Sequence, residues 1–156
     1  MRALVRLLLS AAVVSAAACG PAVDLTKGLE VAIVSSGWYD AGIVNGQNKL
    51  VPSITFTVTN ASNVVSLKLR LLRDDGAVVY LNGMEALRSN MPDGPVSYTT
   101  LASVGVGGPA ESTFYNFAID PSLLAEGVNV LAVEIHQVSP QSSDISFDLE
   151  LVGQRE

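Results

Sequence analysis

The chain has 156 residues, 9 of them basic against 15 acidic, with one histidine, one cysteine and 49% hydrophobic residues. That length carries one sizeable core and is too short for two ordinary domains. The acidic balance sets the chain against nucleic-acid phosphates and anionic headgroups, and a lone cysteine excludes an internal disulfide and a thiolate metal cluster.

Residues 1–18, MRALVRLLLSAAVVSAAA, read as an export leader. Arg2 and Arg6 make a basic start, and the apolar or small run that follows is too short, with the wrong flanks, to span a bilayer. The small residues lead directly into Cys19, which resembles a bacterial lipobox, although Ala16 stands where that pattern usually has Leu. The resemblance implies a lipid thioether at Cys19 and a chain anchored in the cell envelope, facing the periplasm or the exterior. The alternative is a plain secretory leader cut after an A-x-A site. Losing the leader removes both its arginines and leaves 7 basic against 15 acidic residues, a net of −8 with the histidine neutral.

Residues 19–27 read as a tether, short, small and without period, and residues 28–153 as a single domain. LEVAIVSS alternates, with Leu29, Val31 and Ile33 on one side. GWYDAGIVNGQNKL, which carries Trp38 and Tyr39, is a loop rich in Gly and Asn. VPSITFTVTN puts Ile54, Phe56 and Val58 on one face and three threonines on the other, the period of a half-buried strand. VVSLKLRLL repeats the pattern with Val65, Leu67, Leu69 and Leu71 inward. DDG then reads as a turn in which Gly76 supplies a positive φ, and AVVYLNG as a strand closed by an Asn-Gly turn. SYTTLAS, STFYNFAID, NVLAVEIHQV and DISFDLELVG read as further strands. DPSLLAEG makes at most one helical turn, with Asp120 as its cap and Pro121 behind it. Many short strands, frequent turns and no long helical period predict an all-β fold, a β-sandwich of jelly-roll length.

At RDDGAVVYLNG, and again at SNMPDG, ESTFYNFAIDPSLLAEGVNVLAVEIHQ and SSDISFDLELVG, the chain resembles a known module. It is similar to the β-sandwich accessory module appended to secreted bacterial metallophosphoesterases, lamin-tail-containing proteins and related large exported proteins. That module in turn resembles the galactose-binding-like jelly rolls. Tyr80, Asn82 and Gly83 match the end of one motif strand, and Gly127, Asn129, Val130, Leu131, Ala132 and Val133 the start of another. The likeness covers about Val64 to Gly153; upstream of about Asn60 the chain looks more like a small bacterial lipoprotein. It implies a galactose-binding-like jelly roll without catalysis of its own, because the metal-binding motifs of the phosphatase domain are absent.

Candidate chemistry is sparse. His136, with Glu134 two residues before it, is expected on the outward face of a strand, paired with Glu134 or a loop carboxylate, and a part in ligand binding is its other role. No serine near it lies in a G-x-S-x-G elbow, so serine hydrolysis is disfavoured. One histidine without thiols does not make a zinc site. Calcium needs neither, and Asp74, Asp75 and Asp144 are its candidate ligands, against the alternative that Asp-Asp-Gly is simply turn chemistry. No other cofactor is expected. Glu134, Asp148 and Glu150 fall on outward faces, away from the geometry of paired glycosidase carboxylates. Trp38 and Tyr39 form the best platform for a sugar ring, or else cap one end of the sandwich. The sequence therefore reads as a non-catalytic extracytoplasmic accessory or binding module, for a polysaccharide or a protein partner and not for nucleic acid. A small glycosidase- or phosphatase-like hydrolase, or a structural envelope lipoprotein without a ligand, are the alternatives.

Overall fold

In the computed structural model, residues 53–142 and 144–155 are described throughout, together with the backbone pairing of residues 4–5 and 32–37. Cys19, the tether, Val31 and the Trp38–Tyr39 loop lie outside the described residues. The strands are β1 (Leu4–Val5), β2 (Ala32–Gly37), β3 (Ser53–Val58), β4 (Val64–Arg73), β5 (Gly76–Leu81), β6 (Met84–Ser89), β7 (Tyr115–Ile119), β8 (Gly127–His136) and β9 (Phe147–Arg155). Among the described residues, the helical elements are three short 3-10 turns.

Two sheets pack face to face. One is ordered β2-β3-β8-β5-β6 and the other β1-β9-β4-β7. Neighbours are antiparallel except β1 against β9, where Leu4 stands beside Asp148 in a short parallel pair. The described residues form an all-β, two-sheet sandwich with no helical core.

Alternation builds the core. In β3 the expected inward residues Ile54, Phe56 and Val58 are buried, and the intervening threonines are half-buried on the other face. In β4, Leu67, Leu69 and Leu71 stand beside Ile119, Phe117 and Tyr115 of β7 on one side and Gly153, Leu151 and Leu149 of β9 on the other. The facing sheet supplies Val79, Leu81, Leu131, Val133 and Ile135. Each such side chain, fully buried, contributes about 1.5–3 kcal/mol of transfer free energy, and with no disulfide to assist, this burial is the main source of stability.

Three expectations are corrected. Val65 was expected inward, yet it is 53% exposed while Val64 is buried. The register of β4 against β9 shifts between Val64 and Ser66, and an extra residue there reverses the side on which the alternation starts. SYTTLAS is not a strand. Ser97 N–H donates to Thr100 Oγ1 at 2.9 Å and Thr100 N–H to Ser97 O at 3.0 Å, so the backbone is satisfied locally in a turn. MEALRS, which carried no strand expectation, forms β6 at the edge of the larger sheet. Its composition favours helix. The Asn82-Gly83 turn overrides it: Asn82 at φ 54 and Gly83 at φ 80 both take left-handed backbone, which matches the twist of a tight hairpin.

The DPSLLAEG turn forms as expected. Pro121–Leu123 is a 3-10 turn, and Asp120 Oδ1 accepts Ser122 N–H at 2.9 Å.

Candidate functional site

The parity of the larger sheet decides which groups share its outer face. Val78 stands opposite Glu134 and Tyr80 opposite Ala132, so β5 and β8 present Val78, Tyr80, Glu134 and His136 away from the core. On β6, Glu85 pairs with Tyr80 and Arg88 with Val78. Beyond β8, Thr55 and Thr57 of β3 face the same way, beside Val130 and Val128. Glu85 and Arg88 form a two-armed ion pair, Nε to Oε1 at 2.9 Å and Nη2 to Oε2 at 2.8 Å. The arginine's hydrogen bonds hold the Glu85 carboxyl below its ordinary range. Burial raises the Tyr80 phenol, and the charges of Glu134 and Glu85 raise it further.

His136 was expected outward and solvated. It does leave the core side, yet it is only 3% exposed. The cover comes from the segment after β6, in which Asn90, Met91 and Ala102 come close to Gly76 and Thr100 O reaches the ring. His136 Nδ1 lies 2.7 Å from Thr100 O, and a carbonyl only accepts, so Nδ1 carries a proton and donates. On the other side of the ring, Nε2 lies 3.2 Å from Glu134 Oε2. The expected pairing with Glu134 is therefore present, while the expected exposure is not. Both ring nitrogens are engaged and the ring is buried, which leaves no free nitrogen to act as a general base. Of the nearby serines, Ser139 directs its hydroxyl to Gln141 Oε1 at 2.7 Å.

The DDG segment is likewise more than a turn. Asp74 and Asp75 are 3% and 2% exposed, joined by a cis peptide. Asp75 Oδ1 accepts Val106 N–H at 2.5 Å and Oδ2 accepts Val138 N–H at 2.7 Å, so one carboxylate ties two separate loops together. Asp75 O accepts from Arg73 Nη1 at 2.8 Å and Asn90 Nδ2 at 3.0 Å. Arg73, itself buried, also donates to Ser89 Oγ at 3.0 Å and lies over the Tyr115 ring at 4.5 Å. The Asp74 carboxyl is pushed up from 3.8 to about 7, first by burial, then by its hydrogen bond to Asp75 and by the charges of Asp75, Asp144 and Glu111.

Gly76 is needed here for closeness and not for a positive φ. A Cβ on it would lie 2.6 Å from Met91 Sδ, 2.8 Å from Asn90 O and 2.9 Å from Ala102 Cβ, so only glycine lets the covering segment reach the sheet.

The calcium expectation meets a different arrangement. Both oxygens of Asp75 are taken by backbone N–H groups, and Asp144 offers its backbone carbonyl to Gln137 Nε2. Among the described residues, no group of three or more His, Cys, Asp or Glu could hold a metal ion. The outward carboxylates also differ from a purely solvated row. Glu150 is 9% exposed and ion-paired with Arg70 at 2.6 Å, and Arg70 lies over the Phe114 ring at 4.7 Å.

The two asparagines that carry the module resemblance meet one another. Asn129 is fully buried. Its Oδ1 accepts Asn82 Nδ2 at 2.7 Å and Ala125 N–H at 2.8 Å, and its Nδ2 donates to Ala125 O at 2.8 Å and Gly127 O at 3.0 Å. Asn82 also donates to Leu123 O at 2.9 Å and accepts Val130 N–H at 2.9 Å. These motif residues lock the Asn-Gly hairpin against the start of β8. Their role is structural.

The fold and this face define the class, an all-β sandwich whose larger sheet carries a polar outer face under a loop cover. No family model matches the chain, and no curated protein does. Among solved structures, a β-D-mannosidase from Dictyoglomus thermophilum is similar over 58% of this chain at 17% identity, with a TM-score of 0.38. The match covers 9% of that enzyme's length, and at that score it carries no argument about this chain's function.

Proposed function

We propose that the chain is a lipid-anchored accessory module that contacts glycans outside the cytoplasm and has no catalytic activity of its own. The observation that carries this is the outer face of the larger sheet. There the half-buried ring of Tyr80 lies between Glu134 and the Glu85–Arg88 pair, with the hydroxyls of Thr55 and Thr57 farther along the same face. An aromatic surface beside fixed polar groups suits a sugar ring, whose faces are apolar and whose edges carry hydroxyls. The engagement of both His136 nitrogens supports a contact role over turnover. Trp38 and Tyr39, outside the described residues, are the proposed second platform, and calcium is a condition to vary and not a requirement.

A glycan array run with the full chain, with and without calcium, tests the reading. Wild type is expected to retain at least one glycan class, and Tyr80→Ala to weaken that binding about 10-fold or more, equivalent to about 1.4 kcal/mol. Retention of no glycan, or saturable turnover of chromogenic phosphate, acyl-ester or glycoside substrates, would sink it. The anchor is tested separately. A fed acyl-chain label is expected on wild type and absent from Cys19→Ala, and equal labelling of the two would remove Cys19 as the attachment point.

A further inference from the structure

Among the described residues the two sheets have four edges, and three of them are guarded. β2 carries a bulge, where its register against β3 shifts between Ile33 and Ser35. β7 is short, with 5 residues. β6 is bulged against β5, and its Arg88 donates to Pro92 O and Gly94 O, each at 2.7 Å, which ties the following chain to it. Bulges, short strands and covering chain all stop an edge from pairing with another molecule. The fourth edge is that of β9, and it has none of the three along most of its length. Phe147–Arg155 is 9 residues long, has neither Pro nor Lys, and pairs with β4 without a break from Phe147 to Gln154.

A strand of this chain already shows what that edge takes. Leu4 and Val5, from the segment read as an export leader, pair in parallel with Asp148 and Leu149. Among the described residues, no strand stands beside residues 150–155 on that side. Cutting the leader away leaves the edge without that neighbour. Its outward N–H and C=O groups then pair with water or with an added strand.

β9 is complementary to itself when two copies overlap along the full strand. With a two-fold axis at Leu151, an antiparallel copy sets Glu150 opposite the partner's Val152, Asp148 opposite the partner's Gln154 and Phe147 opposite the partner's Arg155. Inner-face residues meet inner-face residues, and no carboxylate stands opposite a carboxylate. An axis one residue earlier would set Glu150 against its own copy. The charge of Glu150 is also met within its own sheet, by Arg70 at 2.6 Å.

We propose that removal of residues 1–18 frees the edge of β9, and that the freed strand pairs, antiparallel about Leu151, with β9 of a second copy of this chain. The pairing joins β7, β4 and β9 of each copy into one continuous sheet. While the leader is attached, Leu4 and Val5 occupy the places that the partner's Gln154 and Gly153 need, so the precursor is held monomeric. Pairing depends on leader removal as read from the sequence, and on neither the lipid nor a glycan.

Sedimentation equilibrium in density-matched detergent reads the association, with intact mass reporting whether residues 1–18 are present. The exported, processed chain is expected to form a concentration-dependent dimer, and the full chain kept from export to remain monomeric. Two substitutions at the exposed Gln154 test the register. Its neighbour on β4, Ser66, is uncharged, so a new charge finds no ion pair with that residue. Gln154→Glu sets like charges opposite Asp148 twice per dimer and is expected to weaken it about 5-fold or more. Gln154→Lys sets opposite charges there and is expected to tighten it by a similar factor, and high salt to bring the two variants together. A dimer equally strong with the leader attached, or variants that shift in the same direction, would overturn the proposal. So would a processed chain that stays monomeric; if that monomer takes up a peptide of residues 1–8, the edge accepts a foreign strand and not a second copy. An exported chain whose mass still includes residues 1–18 would overturn the leader reading, and with it the trigger, as a separate result.

Discussion

Asn129→Ala is expected to destabilise the fold by about 3–5 kcal/mol, read as a lowered urea midpoint at unchanged slope. The truncation removes a small side chain, so the lost apolar burial is minor. The loss lies in the groups it leaves behind. Ala125 N–H, Ala125 O, Gly127 O and Asn82 Nδ2 all lose a partner that is fully buried. An unpaired buried polar group costs about 1–3 kcal/mol, and the more exposed of these recover part of that from water. Asn82→Ala should cost less alone, because Asn82 lies at the surface. Combining the two should fall well short of additive, since each removes the same Asn82–Asn129 bond. An Asn129→Ala variant within about 1 kcal/mol of wild type would show the network to be dispensable.

Asp75→Ala is expected to cost about 3–6 kcal/mol, because two charge-assisted bonds, to Val106 N–H and Val138 N–H, disappear together. Asp75→Asn keeps one acceptor oxygen and should fall between wild type and Asp75→Ala. Asp75→Asn also changes the response to pH. Between 3.8 and about 7, folded Asp74 holds a proton that the unfolded chain has released. Wild-type stability therefore falls as pH rises through that window, and the full loss is present above about 7. With a neutral neighbour, Asp74 ionises closer to its ordinary range, so the fall in Asp75→Asn should be shallower and should end at lower pH. An identical midpoint-versus-pH curve in the two proteins would remove Asp75 as a cause of the raised Asp74 carboxyl.

Much of the sandwich was legible because period-two alternation reports a half-buried strand directly. Ile54, Phe56 and Val58, Leu67 to Leu71, and Leu131 to Ile135 needed nothing beyond that period. Val65 was not legible, since a bulge changes the parity without changing the composition. Nor was β6, where Met84, Glu85, Ala86, Leu87 and Arg88 all favour helix and only the preceding Asn-Gly turn says otherwise. The site was harder for a further reason. His136 is buried by Thr100, 36 residues away in sequence, and Asp75 reaches Val138 across 63. Local patterning places a side chain on a face of its own strand, and it carries no information about a loop that returns to cover that face. The signal that was available is the pair of prolines, Pro92 and Pro95, with Gly94 between them, which marks a turning segment ahead of Ser97 and not a ladder strand.

The pairing of β4 with β9 also bears on when the molecule can fold. β4 lies between β7 and β9, and its bond from Arg70 to Glu150 spans 80 residues of chain. Synthesis proceeds from the amino terminus, so Leu67, Leu69 and Leu71 are made long before Leu149 and Leu151 exist to stand beside them. Local contacts in the early segments repay little of the entropy of ordering them, and the costly long loop closes only at the end. Until β9 has left the ribosome, β4 lacks one of its two neighbours and the core of its sheet stays open.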